Sequence, residues 1–250
     1  MKKYIFIVFL GLTASLVSAQ EKVTTVGFLI KPIFASKFFG TGTQDLSLND
    51  FNYKISQNTG FSGGLVIRKG YTKTLSLEFG INYCRRNVTL ESLHQGVSSA
   101  SKLKIIGYEI PLSQLIFVRL SKNIYMNVSA GACINMFPSD VQVTNEVLYA
   151  LGGRKLIFNP SLIANIGFEY RTIDNGYFYL GTSFNRPFSP IYGLGIDYII
   201  NNVVVNSAIA NLKGSYLTLD FKYFFHEDPE RKKAKLPSDK QRKTKPSKGK

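Results

Sequence analysis

Nine ionisable residues fall on the polar parity of segments whose alternate residues are apolar: Lys31, Arg68, Glu78, Glu109, Arg119, Glu169, Arg171, Asp220 and Lys222. Three chemistries suit such a set. Glu78, Glu109 and Glu169 could act as paired carboxylates in acid–base work, the mixed charges could line a narrow solute pathway, or the two signs could neutralise one another. Charges on one face of buried strands are costly unless they pair with one another or with water. The interior of a barrel of eight strands is just wide enough for its own side chains. The favoured expectation is therefore a salt-bridged lumen network that holds a barrel closed, without catalytic residues, in a protein with a structural, surface-interaction or secretion-associated role; a small-solute pore or a lipid-modifying enzyme on a small barrel is the alternative.

The remaining reactive side chains add little. His94 lies in a polar stretch and His226 just beyond the final alternating segment; neither has an acid or a serine in a recognisable motif, and an enzyme needs a nucleophile or base with an orienting partner. Cys84 and Cys133 sit on the inward parity of the third and fifth alternating segments. One intervening strand would separate them by about twice the ~4.8 Å strand spacing, beyond disulfide reach, so free thiols are expected. Two cysteines and two histidines without ligand spacing give no metal site, and no cofactor is expected. The glycines at 60, 63, 64, 152 and 153 lack the GxxxxGK[ST] spacing of a phosphate loop.

These residues need elements to position them, and the clearest is Gly214 to Phe225, GSYLTLDFKYFF. Leu217, Leu219, Phe221, Tyr223 and Phe225 share one face; Tyr216, Thr218, Asp220 and Lys222 share the other. A period of two is a strand signal, and about ten alternating residues suit a tilted strand spanning a bilayer. Similar segments run from Thr24 to Phe38, Gly60 to Arg68, Thr74 to Cys84, Lys104 to Leu120, Ile124 to Met136, Phe158 to Arg171 and Tyr177 to about Phe188. Their connections alternate in length. Polar stretches at Phe39 to Gln57, Asn87 to Leu103 and Phe137 to Ile157 read as long loops, and Ser189 to Lys213 as a long apolar one; the breaks at Lys69–Gly70, Ser121–Asn123 and Ile173–Gly176 are tight turns. This predicts an all-β fold, an eight-stranded antiparallel up-and-down transmembrane β-barrel. A hairpin turning at Asn201 and Asn202 could add two spanning strands, leaving ten strands as the alternative.

The ends of the chain set its compartment. MKKYIFIVFLGLTASLVSA, residues 1–19, has the basic start, apolar run and small-residue exit of a secretory signal peptide, which leaves 20–226 as the barrel and 227–250 as a tail. No other run approaches the ~20 apolar residues of a spanning helix. Of the formal net charge of +15, Arg231 to Lys250 carries ten Lys or Arg against Asp239 alone. That tail is low in apolar residues, contains Pro237 and Pro246, and is expected to be disordered. It reads either as a tether to an anionic periplasmic partner or as a solvated extension. Export argues against nucleic acid as a partner. An even strand number puts both termini on the periplasmic side, in the outer membrane of a Gram-negative bacterium.

YEIPL at Tyr108 to Leu112, NVSAGACIN at Asn127 to Asn135 and IANIGFEY at Ile163 to Tyr170, behind a signal peptide, resemble the small outer-membrane β-barrel proteins of the porin family or PorT-like kind. The resemblance covers most of Thr24 to Phe225. It implies a monomeric barrel in contact with outer-membrane lipid, inserted by the barrel assembly machinery through Gly214 to Phe225, and in the PorT-like branch a part in protein secretion. Two features depart from that pattern: 25 residues follow Phe225, and Asp220 stands where the final strand usually carries glycine.

Overall fold

The computed structural model describes residues 23–35, 43–48, 50–72, 74–172 and 175–225. The expected signal peptide, the basic tail and His226 lie outside them. Every regular element among the described residues is a strand: β1 (Thr24–Phe34), β2 (Gln44–Leu48), β3 (Phe51–Gly70), β4 (Leu75–His94), β5 (Val97–Arg119), β6 (Ile124–Met136), β7 (Val141–Thr144), β8 (Leu148–Arg154), β9 (Phe158–Arg171), β10 (Tyr177–Pro187), β11 (Tyr192–Ile200), β12 (Val203–Leu212) and β13 (Tyr216–Phe224).

Eight of them, β1, β3, β4, β5, β6, β9, β10 and β13, pair antiparallel in chain order, and β1 pairs with both β3 and β13 to close the ring. Closure removes the open edges that a membrane-embedded sheet cannot leave unpaired. The parity is the one the alternation predicts. Val26, Phe28, Leu65, Ile81, Ile116, Ile166, Phe178 and Phe221 point outward and are exposed, whereas Lys31, Arg68, Glu109, Glu169 and Asp220 point inward and are buried. On β4 the outward apolar run from Leu75 to Tyr83 gives way to Arg85, and on β5 the run from Val118 to Ile106 gives way to Lys104 and Lys102. Those charges mark the upper border of a lipid-facing band, nine residues on β4 and thirteen on β5, where Gln114 interrupts the apolar side chains; a tilted strand needs about 9–11.

Beyond that border the structure differs from the expectation of long polar loops. β3, β4 and β5 continue well past the band, and β4 and β5 turn only at Gln95 and Gly96, both at positive φ, with His94 paired to Val97. The stretches 51–57, 87–94 and 97–103 are strand because their alternation has changed polarity. Inside the band the inward side chains are polar; above it Val88, Leu90, Leu103 and Ile105 are inward and buried, while Lys102 and Lys104 face out. On β3 the register shift between Asn58 and Phe61 changes the parity, so that Tyr53 and Ile55 below it in sequence also turn inward.

A second antiparallel sheet, in the order β12-β11-β8-β7, packs over these extensions. It draws on Val141 to Thr144, Leu148 to Arg154 and the hairpin β11–β12, which turns at Asn201 and Asn202 with φ of 51° and 62°. Left-handed conformations at both central positions make the two-residue turn that matches strand twist, and asparagine tolerates them. The hairpin therefore turns where the alternation placed it, and it joins the second sheet, not the ring. The barrel has eight strands. Between the sheets lies one apolar core that includes Tyr53, Leu90, Leu103, Phe137, Leu148, Ile191, Tyr192, Ile196 and Leu212. Tyr53 Oη donates to Asn206 Oδ1 at 3.0 Å, joining β3 to β12, and Asn145 Nδ2 donates to Ser99 Oγ and Ser101 Oγ at 2.9 and 2.7 Å, joining the β7–β8 turn to β5. The mouth of the barrel at this end is covered by a β-sandwich.

Candidate functional site: the barrel lumen

The inward side chains form three polar layers, which follow from strand register. At the short-turn end β3, β4, β9 and β13 bring Arg68, Glu78, Glu169 and Lys222 to one level. Arg68 donates from Nη2 to Glu78 Oε2 at 3.0 Å and from Nη1 to Glu169 Oε2 at 2.5 Å, so one guanidinium bridges two carboxylates. Arg171 Nε donates to Glu169 Oε1 at 2.7 Å, and Lys222 Nζ donates to Glu78 Oε1. Aromatic faces complete the surroundings: the Arg68 guanidinium lies 3.8 Å from the Phe224 ring centroid and that of Arg171 4.1 Å from Tyr125. Planar guanidinium suits this place because it stacks on rings while its fork serves both carboxylates.

The middle layer is built on Asp220. Its Oδ2 accepts from Asn165 Nδ2 at 3.0 Å and from the Ser183 hydroxyl, its Oδ1 accepts from Thr218, and Lys31 Nζ stands 3.9 Å away. Asn165 also accepts from Tyr179 Oη at 2.6 Å. The Tyr179 ring lies across Gly167 and Gly181 on the neighbouring stretches of β9 and β10, where a Cβ on either would overlap the tyrosine hydroxyl. Glycine at these two positions is thus required both by the ring that covers them and by the backbone carbonyls of Leu180 and Ile166, which a Cβ would also overlap.

The upper layer centres on Glu109, whose Oε1 accepts from Arg86 Nη2 at 3.4 Å and from Tyr216 Oη. Arg86 Nη1 donates to the Gly214 carbonyl at 2.9 Å, and its guanidinium lies 4.6 Å from the Tyr216 ring centroid. Asn135, Asn159 and Asn185 extend the layer: Asn185 Nδ2 donates to Tyr216 Oη at 3.1 Å, Asn135 Nδ2 donates to Ser161 Oγ at 2.9 Å, and Asn159 Nδ2 donates to Ser189 Oγ at 3.1 Å. Phe137, whose ring centroid is 5.6 Å from the Arg86 guanidinium, belongs to the sandwich core directly above.

Eight of the nine residues singled out by parity stand in these layers. Arg119 does not: it is exposed at the end of β5, where it donates to the carbonyls of Ser121 and Lys122 at 3.1 and 3.3 Å and so closes the β5–β6 turn. Its parity is inward, but the strand has left the lumen at that point. Arg86 is the converse case, 2% exposed and central to the upper layer although parity reading stopped at Cys84. Carrying the even-numbered parity of β4 two residues further finds it.

Each buried carboxylate is engaged by cations or hydroxyls. A void of about 20 Å³ lies beside Lys31, Glu78 and Lys222, room for about one water molecule. Cys84 and Cys133 are free and buried; Cys84 pairs in register with Gly107 and Cys133 with Pro111, on opposite sides of β5 and four residues apart along it. His94 sits far from the lumen at the tip of β4, stacked on Phe51 at 3.8 Å between ring centroids and 5.6 Å from Tyr198. Among the described residues no group of three His, Cys, Asp or Glu is placed to hold a metal ion.

No protein-family model and no curated protein matches this sequence. Solved structures do. The outer membrane protein OprG from Pseudomonas aeruginosa superposes with a TM-score of 0.50 at 13% identity, over 84% of this chain and 98% of its own. The outer membrane protease OmpT from Escherichia coli has a TM-score of 0.39 at 8% identity, over 84% of this chain and 100% of its own. The translocator domain of the autotransporter NalP from Neisseria meningitidis has a TM-score of 0.34 at 11% identity, over 90% of this chain and 96% of its own. The chain has the fold of a small outer-membrane β-barrel.

Proposed function

We propose that this barrel is a non-enzymatic membrane platform in the outer membrane of a Gram-negative bacterium, monomeric, with its short turns and both termini periplasmic and its β-sandwich outside the cell. The ion-paired lumen is structural, and the sandwich is the element that meets partners. One observation carries this reading: ion-paired polar layers built on Arg68, Asp220 and Glu109 cross the lumen, and an apolar core rooted in Phe137 and Ile191 lies over its mouth. A pore needs an opening at both ends and a path between them. A carboxylate held in ion pairs by Arg or Lys is poorly placed as a general acid or base, which needs to reach substrate. The partners that follow are outer-membrane lipid around the apolar band, the barrel assembly machinery acting on Gly214 to Phe225, and an anionic periplasmic polymer or lipid surface for the basic tail. A secretion-associated role of the PorT-like kind is compatible with the same arrangement, the sandwich then docking a component of the apparatus.

The test is planar-bilayer conductance of the refolded full-length chain. The platform reading expects no unitary steps above the bilayer background. Steady open-channel steps that vanish when Lys31 or Asp220 is replaced would refute it and assign the lumen to solute passage.

A further inference from the structure

The outward face of β3, β4 and β5 changes character just above the apolar band. Below the border it shows Phe61, Tyr83 and Ile106, all exposed; above it come Arg85, half-buried, and Lys104 and Lys102, both exposed. Arg85 stands opposite Ile106, Lys104 opposite Asn87 and Lys102 opposite Thr89. Diagonal neighbours across an antiparallel pair, and residues two apart along a strand, are both about 7 Å apart, so the three cations make one cluster. Arg85 Nε donates to Asn87 Oδ1 at 3.3 Å, and Asn87 Nδ2 donates to the Thr59 carbonyl at 2.7 Å, which anchors the guanidinium and leaves its two Nη groups for a ligand. Among the described residues none of the three cations meets a carboxylate. One level further out, Lys54 and Glu91 pair at 3.8 Å and cancel. Three positive charges are left uncompensated, bounded by apolar side chains on one side and a neutral pair on the other.

A strand tilted by about 40° rises roughly 2.5 Å per residue along the membrane normal. Arg85 and Lys104, each two residues beyond the last outward apolar side chain of its strand, therefore stand about 5 Å past the hydrocarbon edge, and Lys102 about 10 Å. The headgroup layer is about 5–7 Å thick, and lysine reaches back into it along its stem.

We infer that Arg85, Lys104 and Lys102 bind the phosphate groups of a glycolipid in the leaflet on the sandwich side, one whose headgroup carries phosphate monoesters. The class follows from position and charge. At headgroup level beside an apolar wall the neighbour is a lipid, its chains lying along Tyr83 and Ile106. A phosphodiester carries a single negative charge, whereas a monoester carries about 1.5 to 2. Three cations without a protein counter-charge match a pair of monoesters, and cations about 7 Å apart need those monoesters on a broad scaffold such as a sugar. The Arg85 fork suits phosphate oxygens bidentately. The inference rests on the platform reading, which puts this leaflet outside, and it gives a site to the lipid contact stated there.

The test titrates full-length protein in zwitterionic detergent with an acylated glucosamine disaccharide bearing two phosphate monoesters, and reads the fraction of protein carrying the lipid by native mass spectrometry. The triple variant Arg85→Gln, Lys102→Gln, Lys104→Gln is expected to bind roughly a hundredfold more weakly, at about fivefold per cation. A control with the same change in charge at three exposed sites elsewhere, Lys69→Gln, Lys122→Gln, Lys155→Gln, is expected to bind as the unsubstituted protein does. The basic tail is common to all three proteins and cancels from the comparison. Removing both phosphates from the lipid should weaken its binding to the unsubstituted protein to a similar degree and cost the first variant little more. A heat-dependent electrophoretic shift like that of the unsubstituted protein shows that this variant has folded. Equal loss in the two triple variants overturns the inference, by making the attraction one of net charge. So does equal affinity for phosphatidylglycerol, which makes a single phosphodiester sufficient, and so does full binding by the first variant. Conductance reads the lumen and not this patch, so failure of lipid binding and failure of the platform reading are separable.

Discussion

Replacing Arg68 by methionine isolates the contribution of the lowest polar layer. The substitution keeps much of the stem volume and removes the guanidinium that Glu78 and Glu169 share at 3.0 and 2.5 Å. Glu169 is 0% exposed and Arg68 5%. Removing one partner of a buried pair generally costs about 3–5 kcal/mol, because the remaining charge is desolvated without compensation. Here each carboxylate keeps a second cation, Arg171 for Glu169 and Lys222 for Glu78, so the lower end, about 3 kcal/mol, is expected, including roughly 1 kcal/mol from the lost stacking on Phe224. That is about a hundredfold in the folding equilibrium. The assay is urea unfolding in lipid vesicles, read by the fraction that keeps heat-modifiable mobility. The comparison is Arg171→Met at the rim, where the side chain is 29% exposed and the expected loss is about 1 kcal/mol or less. Equal midpoints for the two variants would refute the pairing argument. So would a cycle of Arg68→Met and Glu169→Gln in which the double loss is the plain sum of the singles, since residues in one network are expected to couple.

Three further outcomes follow from named contacts. Gly181→Ala places a Cβ against the Tyr179 hydroxyl and should cost about 1–3 kcal/mol by overpacking, with Tyr179→Ala relieving part of that cost, so the double variant unfolds at less urea-equivalent loss than the sum. Tyr53→Phe deletes the donor to Asn206 Oδ1 and should loosen the sandwich by about 1–3 kcal/mol; limited proteolysis is expected to cut the β11–β12 hairpin sooner while the barrel's heat shift is unchanged. Cys84 and Cys133, each 1% exposed, should resist a maleimide reagent in the folded barrel and react fully after boiling in detergent; labelling of either in the folded state would contradict their burial.

The legible part of this protein was the lipid-facing band. In β13 the pairing of Leu217, Leu219, Phe221 and Tyr223 against Tyr216, Thr218, Asp220 and Lys222 needs no tertiary knowledge, because a bilayer on one side and a closed lumen on the other impose opposite polarity on alternate residues. The same rule put Lys31, Glu109 and Asp220 on the inner face. It failed above the membrane, where the solvent changes. Water replaces lipid outside β4 and β5, an apolar core replaces the polar lumen inside, and the alternation inverts: Leu90 and Leu103 are inward and buried while Lys102 faces out. Scanned for a lipid-facing stripe, such a stretch reads as a polar loop.

The outward apolar parity of the ring strands, the inward parity of eight of the nine charges and the turn at Asn201 and Asn202 were therefore determined by sequence alone, through the period of two and the conformational tolerance of asparagine, whereas eight ring strands in place of ten was decided by where the β11–β12 hairpin packs. Which charge meets which was decided only in the tertiary structure. Arg68 reaches Glu169 across a separation of 101 residues, and Tyr216 reaches Glu109 across 107, because shear and closure of the ring fix the levels at which non-neighbouring strands face one another. The destination of the β11–β12 hairpin was decided there too. Its apolar inner face is equally satisfied by lipid or by another sheet, and only the register that leaves Tyr53, Leu90 and Leu103 in need of cover selects the sheet.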